Sequence, residues 1–565
     1  MKAIILKHCL KNALDFNGKI NPKVVLGLAL RDNPDLRKDV PTVLNEIEKT
    51  AAEVEKLSLE QIKDKLKQTA PELLKPQKEK AQLGPLKPLP NAKPGKVVLR
   101  IAPSPSGPLH IGHAYGASLN HEYAKMYNGK LILRIEDTNP ETIYPPAYNM
   151  IEEDVRWLTD NQVAEVVLQS SRLGLYYDYA EKLVQQGNAY VCTCDADRWR
   201  VLKNEGTACP CRSLEPKEQT IRYAQMFNEY AEGEAVLRAK TDIAAKNPAM
   251  RDFGLMRIVE HVHPKTGKEQ RVWPLMVFSV AVDDHDQGIT HVLNGKDQAD
   301  NAEKEKFIIK ALGWKPPEYR HWGIINFIGF EVSKTKTKLA IEQKEYSGWD
   351  DIRLPFLLAL KRRGYQPGAF RKYALDIGLS LNDKTVSMLE FWKNIDAFNR
   401  EIIEPIAKRY FFIDRPREVQ IRSLKDRKVQ IAFHPDHYEQ GYRTLNVSDM
   451  AYISEKDFKT LAEGYTHRLM DLCNFEVKGN IYWKTSDRYE DYKTAANKGR
   501  IIHWVPKEEN IATELILNSG IKVSGLAELN LSAAKEGDIV QLERLAFCRI
   551  DKIEKRKVTL WYLHK

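Results

Sequence analysis

Nowhere in the 565 residues do eighteen apolar residues run together, so no segment has the length and polarity of a membrane-spanning helix. The opening MKAIILKHCLKNALDF has neither a long apolar stretch nor a small-residue cleavage site, and the expectation is a cytoplasmic protein with no membrane partner. Cysteine is sparse: seven residues, an odd number, with four clustered as two CxC pairs. That pattern argues against a disulfide framework and for a metal site in a reducing compartment. Neither sign of charge dominates, since 87 basic residues face 77 acidic ones for a net charge of +10, which permits a nucleic-acid partner without requiring one. Internal repeats are absent, as is low-complexity sequence outside one proline-rich linker. What the chain does have is 43% hydrophobic residues, ample for packed cores, over a length that suits about four domains.

The chain is organised around residues 97–113. Val97, Val98, Leu99 and Ile101, interrupted by Arg100, read as a buried strand. Pro103, Pro105 and Gly107 break it in a tight turn, and Leu109, Ile111 and Ala114 resume on a helix whose His110 and His113, three apart, share a face. In an α/β sheet the ligand sits where a strand turns into a helix start, because free backbone N–H groups and the helix dipole converge there; an anion belongs at this point. By residue type alone, the two histidines also fit satisfied helix-face residues or a pair of metal ligands. LILRIEDTNP, residues 131–140, reads as a second strand with acidic residues at its C-terminal end.

Residues 1–83 are rich in Leu, Ala, Lys and Glu, with Val43, Ile47 and Val54 at helical spacing. They predict a helical appendage, either an RNA-contacting arm or a solvated bundle. In residues 84–96, Pro85, Pro88, Pro90 and Pro94 forbid helix and imply a semi-extended linker. Cys192, Cys194, Cys209 and Cys211 flank a charged, helix-like insert and suit the tetrahedral site of a structural Zn²⁺. Free buried cysteines and an iron–sulfur cluster stay open, because the spacing is CxC rather than CxxC. Residues 275–282 are apolar throughout and read equally as helix or strand. From about Tyr410, short β-branched and aromatic runs such as RKVQIAF, GNIYWKT and RKVTLWYLHK suggest a pair of β-barrels, with Tyr482, Trp483, Lys484, Arg488, Arg500 and Trp504 as basic and aromatic residues suited to stacking on bases.

SPSGPLHIGHA resembles the HIGH signature of class I aminoacyl-tRNA synthetases, and RIAPSPSG resembles the glutamyl branch of that class. FEVSKTKTK resembles the second signature, KMSKS, with Glu331 where its first lysine stands and Ser333, Lys334 and Thr335 at its last three positions. The resemblance runs from about Val97 onward. It implies an α/β fold with a Rossmann-like catalytic domain in two halves, 97–190 and 268–345, split by a zinc-bearing acceptor-binding insertion at 191–267. A helical connector at 346–409 and two all-β anticodon-binding barrels at 410–565 would follow.

The resemblance further implies an ATP site at Pro103, Gly107, His110, Gly112, His113, Ser333, Lys334 and Thr335, with His110, His113 and Lys334 stabilising charge in the transition state. Glu136 would hold the α-ammonium of the amino acid, Arg100 and Ser104 its carboxylate or backbone groups, and VDDHDQGITHVL would form a wall of the pocket. Two positions depart from the family. Asn294 stands where glutamyl enzymes commonly carry an arginine, and a common tyrosine is replaced near Met276. Asparagine binds an amide or a carboxylate without supplying charge. The implied activity is ligation of L-glutamate to tRNA(Glu), with tRNA(Gln) left open, driven by ATP with Mg²⁺, by a monomer. The alternatives are a glutamine–tRNA ligase of the same architecture and a catalytically idle tRNA-binding relative, against which the intact histidines and loop lysine argue.

Overall fold

The computed structural model describes residues 1–15, 18, 20–70, 73, 86–329 and 333–565. Glu331, residues 84 and 85 of the linker and most of the appendage beyond Ala70 lie outside the described residues. The chain divides into two compact units, Met1–Pro85 and Leu86–Lys565.

In the first unit the helices Lys2–Asp15, Pro22–Asp32, Val40–Val54 and Leu59–Thr69 bury one apolar face each, joining Ile5, Leu10, Val25, Val43, Ile47, Val54, Ile62 and Leu66 in one core. The last of these helices starts where Ser58 and Gln61 cap each other's backbone N–H reciprocally, satisfying donors that the first turn leaves free.

The second unit begins with residues 86–96, which the prolines keep out of helix but which do not span open solvent. Leu89 is buried, its N–H donates to the Tyr127 hydroxyl at 2.8 Å, and the Lys87 carbonyl accepts from the Tyr123 hydroxyl at 3.1 Å. The strap leads into a parallel sheet of Val98–Ile101, Lys130–Ile135 and Glu165–Leu168. A second parallel pair, His291–Gly295 with Glu318–Trp322, joins it through Thr290, whose N–H donates to the Val98 carbonyl at 3.1 Å while its hydroxyl accepts from the Val98 N–H at 2.9 Å. Arg100, Glu136, Asn294 and Trp322 all stand at or just past the C-terminal ends of these strands, the ligand edge of a parallel sheet.

Residues 276–282 fall in the helix Met276–Asp286, which Leu275 precedes as N-cap and in which Val277 to Asp284 are buried all round, so neither helical nor strand periodicity shows in their sequence. The insertion is a four-stranded antiparallel sheet of Ala189–Cys192, Val236–Ala239, Gly254–Ile258 and Val272–Pro274. Its Leu237, Leu255 and Trp273 share one core with the helices Leu173–Gln185, Met276–Asp286 and Ala299–Ala311. The segment expected as an insertion is therefore continuous with the body around it rather than a separate globule.

Beyond the helices Leu357–Arg363, Pro367–Ile377 and Met388–Ile403 the chain builds two seven-stranded sheets. Trp504 is core, fully buried with its indole N–H donating to the Met470 carbonyl at 2.9 Å, whereas Trp483 and Arg488 are exposed. Phe547 and Leu563, from the last two strands, pack in the same core as Leu109 and Ile111. There Arg363 Nη2 donates to the Leu563 carbonyl at 2.9 Å, and Asn399 Nδ2 lies 3.0 Å from His564 Nε2. Among the described residues no helix is long and apolar enough to cross a membrane.

Candidate active site

The strand Val98–Ile101 ends in a turn that becomes the helix Ile111–Met126, with His110 at its N-cap. His110 Nδ1 accepts from the Gly112 N–H at 3.1 Å, and His113 Nδ1 accepts from the His110 N–H at 3.3 Å. A neutral imidazole whose Nδ1 accepts carries its proton on Nε2. Burial, reinforced by Lys334, pushes His110 down to about 4, while burial and then His110 and Lys334 hold His113 well below the usual histidine range. At neutral pH the pair thus offers two Nε2–H donors without positive charge.

Both rings border a cavity of about 530 Å³, which Arg100, Pro103, Gly112, Glu136 and Asn294 also line. Trp322 forms part of the wall so close to the signature helix that a Cβ on Gly116 would lie 3.0 Å from its ring. Ser104 is exposed and outside this lining.

Lys334 opens the helix Lys334–Glu342, which Ser333 caps by accepting from the Lys336 N–H. The ammonium donates to the Gly107 carbonyl at 3.2 Å and to the Ser106 hydroxyl at 3.4 Å, so the two stretches singled out in the sequence meet. Gly107 adopts φ +151°, and a Cβ there would stand 3.1 Å from Lys334 Cδ; glycine leaves room for the lysine stem. Burial holds the Lys334 ammonium down to about 8. Thr335 is exposed on the same turn.

Behind the cavity lies a buried ionic cluster. Arg100 grips Asp284 bidentately, Nε to Oδ1 at 2.8 Å and Nη2 to Oδ2 at 3.1 Å, and the fully buried Arg134 donates from Nη1 to Asp284 Oδ1 at 2.7 Å. Asp283 accepts from Arg172 Nε at 2.8 Å, Gln169 Nε2 at 2.9 Å and the Tyr176 hydroxyl. Against the upward push of burial, Arg100 and Arg134 hold the Asp284 carboxyl below the usual range. Burial wins at Glu136, raising its carboxyl despite Arg134, 3.6 Å away, and Arg100. The expected pocket wall VDDHDQGITHVL is corrected here: Leu293 borders the cavity, but Asp283 and Asp284 lie behind it because two buried carboxylates are needed to neutralise arginines, and His285 stacks on Trp314 at 3.8 Å. Asn294 Oδ1 lies 2.6 Å from His321 Nδ1.

Cys192, Cys194, Cys209 and Cys211 bring their sulfurs within 4.8 Å of one another, with Cys192 to Cys209 at 3.9 Å and Cys194 to Cys211 at 3.8 Å. Four thiolates about 2.3 Å from a tetrahedral Zn²⁺ would be about 3.8 Å apart, so the donor set fits this ion. Sequence reasoning missed Glu305, Asp297, Gln298 and Trp322 as cavity residues. Only the helical spacing after Gly295 could have suggested that Glu305 turns inward.

Residues 96–405 match the family described as "tRNA synthetases class I (E and Q), catalytic domain", and residues 407–492 and 501–551 match two described as "tRNA synthetases class I (E and Q), anti-codon binding domain". Over 578 residues the chain is 43% identical to the glutamate–tRNA ligase of Pyrococcus furiosus, covering all of both chains. It is 42% identical over 571 residues to that of Methanococcus maripaludis, again covering all of both, and 43% identical over 563 residues to that of Methanothermobacter thermautotrophicus, covering all of this chain and 99% of the relative.

Proposed function

The chain belongs to the class I tRNA synthetases for glutamate and glutamine, and from this membership and the site we infer a glutamate–tRNA ligase. The enzyme forms a bond between the α-carboxylate of L-glutamate and the α-phosphorus of ATP, releasing pyrophosphate. It then transfers the glutamyl group from the adenylate to the terminal ribose of tRNA, releasing AMP. ATP enters with Mg²⁺, which neutralises phosphate charge.

The observation that carries the assignment of roles is the meeting of Lys334 with the Gly107 carbonyl at 3.2 Å. It puts the Lys334 ammonium of the second signature beside the turn whose His110 and His113 supply N–H donors. In our reading these three groups hold the triphosphate and stabilise the charge that grows at the α-phosphorus, while Pro103, Gly107, Gly112 and Ser333 shape the turns that hold ATP and Thr335 flanks Lys334. No covalent nucleophile is needed, since positioning and electrostatics suffice for displacement at phosphorus.

Glu136 accepts the α-ammonium, and Arg100, with two edges fixed by Asp284, keeps Nη1 for a carboxylate. When His321 Nδ1–H donates to Asn294 Oδ1, the Asn294 amide nitrogen is left as a donor, which suits an acceptor-only carboxylate. Ser104, exposed, acts only at the mouth of the site.

Aminoacylation of purified tRNA(Glu) and tRNA(Gln) with each labelled amino acid, ATP and Mg²⁺ tests the reading. Glutamate is expected on tRNA(Glu), and its appearance on tRNA(Gln) would define a relaxed tRNA choice; glutamine transfer alone would overturn the assignment.

The four cysteines would hold a structural Zn²⁺, whose contribution is to pin the insertion against its own sheet rather than to take part in the reaction. Purified chain is expected to carry about one zinc per molecule by atomic emission. Cys209→Ser should lose it and unfold the insertion at lower temperature, and a metal-free wild type of unchanged melting would sink the idea.

A further inference from the structure

Glu305 projects from the helix Ala299–Ala311 to the cavity border, yet it is only 4% exposed, and its Oε2 has no hydrogen-bond partner among the described residues. Its charged and titratable neighbours are Arg100 on the first strand, Asp284 on the helix Met276–Asp286, Arg134 on the second strand and the Tyr319 hydroxyl on the strand Glu318–Trp322. Lys306, on its own helix, lies over the Tyr319 ring at 5.1 Å and pairs with Glu303 at 2.7 Å. Arg100 cannot serve Glu305 as a full partner, because Asp284 already takes two of its donor positions.

The charge balance of the cluster explains the orphaned oxygen. The guanidiniums of Arg100, Arg134 and Arg172 face the carboxylates of Asp283, Asp284 and Glu136, the exposed Asp286 on Arg172 aside. Three charges of each sign leave the buried set neutral before Glu305 is counted. An ionised Glu305 would add an uncompensated buried anion with no donor on Oε2, an arrangement that a low-dielectric site disfavours. Burial accordingly raises its carboxyl to about 8, with Arg100 pulling down and Asp284 pushing up.

We propose that Glu305 is a specificity-determining residue of the amino-acid site: as the neutral acid it lets an anionic side chain settle beside Arg100, and once ionised it repels that side chain while tolerating an uncharged one. This deepens the glutamate–tRNA ligase reading and rests on it. A neutral carboxyl also supplies one O–H donor, the group a substrate carboxylate lacks and needs.

The test is the pH dependence of KM for glutamate, followed by aminoacylation from pH 7 to 9 in wild type and Glu305→Gln, together with the Ki of glutamine as a competitor of glutamate in wild type. If only the neutral acid admits glutamate, KM for glutamate climbs about tenfold across that range, separately from any fall in kcat as the Lys334 ammonium, held down to about 8, loses its proton in wild type and variant alike. The Ki of glutamine should stay flat within about twofold, which controls for the α-ammonium that both amino acids share. Glu305→Gln, locked as an uncharged carboxamide, loses the slope whatever its absolute KM. An equal climb in the variant, or a parallel climb in the glutamine Ki, overturns the proposal; the Ki decides alone if the variant does not fold. Absence of glutamate transfer by wild type at every pH would overturn the ligase reading itself, whereas transfer with a flat KM overturns only the role of Glu305.

Discussion

Lys334→Ala is expected to lower the rate of glutamate activation by about 10²–10³-fold while KM for ATP and glutamate moves less than about threefold, the range seen when one preorganised donor to developing charge is removed. The reason is geometric. In this structure the ammonium rests on weak neutral acceptors, the Gly107 carbonyl and the Ser106 hydroxyl. These hold it in place without competing with phosphate oxygens whose charge is greatest only as the bond to the leaving group breaks. Ground-state ATP meets the same lysine but with less charge to stabilise, so binding suffers less than turnover. Pyrophosphate exchange separates the two, and a KM effect larger than the kcat effect would make Lys334 a binding residue only. Lys334→Arg should recover little, since the guanidinium fork needs more room than the channel beside Gly107, where a Cβ would already stand 3.1 Å from the stem.

Asp284→Ala is the substitution with the largest expected cost in stability. Removing one carboxylate strands two guanidiniums, Arg100 and Arg134, the second of which is fully buried and keeps the neutral Gln287 Oε1 at 3.2 Å, with the carboxylates of Glu136 at 3.6 Å and Asp283 at 3.7 Å as weak partners. Breaking a buried pair in this way costs about 3–5 kcal/mol, so the urea midpoint of the catalytic body should fall well below that of wild type. Arg100 would also lose the partner that fixes its orientation, and KM for glutamate should rise in whatever fraction stays folded. Asp284→Asn, which keeps two hydrogen-bonding atoms but no charge, should fall between the two. A melting profile for Asp284→Ala equal to wild type would mean that water reaches these arginines.

Much of this was legible in the chain. Strand, Gly/Pro turn and helix start at residues 98–111 follow from local residue types, and so does the apolar stripe of Val43, Ile47 and Val54 on the helix Val40–Val54. Lys334 was legible through the order of the two signatures. What stayed hidden depends on contacts between distant segments. Arg100 and Asp284 are 184 positions apart, and nothing local to either distinguishes a residue that holds substrate from one that holds the holder. The aspartates of VDDH therefore read as a pocket wall when they are its buttress. Glu305 sits in a charged helix, ADNAEKEKFIIKA, whose acidic residues look alike in sequence; only tertiary packing buries this one and leaves Glu303 in solvent. The helix Met276–Asp286 was ambiguous because complete burial erases the periodicity that distinguishes helix from strand.

The presence of Phe547 and Leu563 in the same core as Leu109 and Ile111 has a consequence for how the protein comes into being. A ribosome releases the signature turn early and the two strands that complete its core hundreds of residues later. Until then the core around the signature turn, although residues such as Leu133, Ile151, Leu360, Phe370 and Phe391 already close most of it, lacks the two side chains that complete it. Translation that stalls in the distal sheets should therefore leave a core short of its last packing partners and less stable than that of the finished chain.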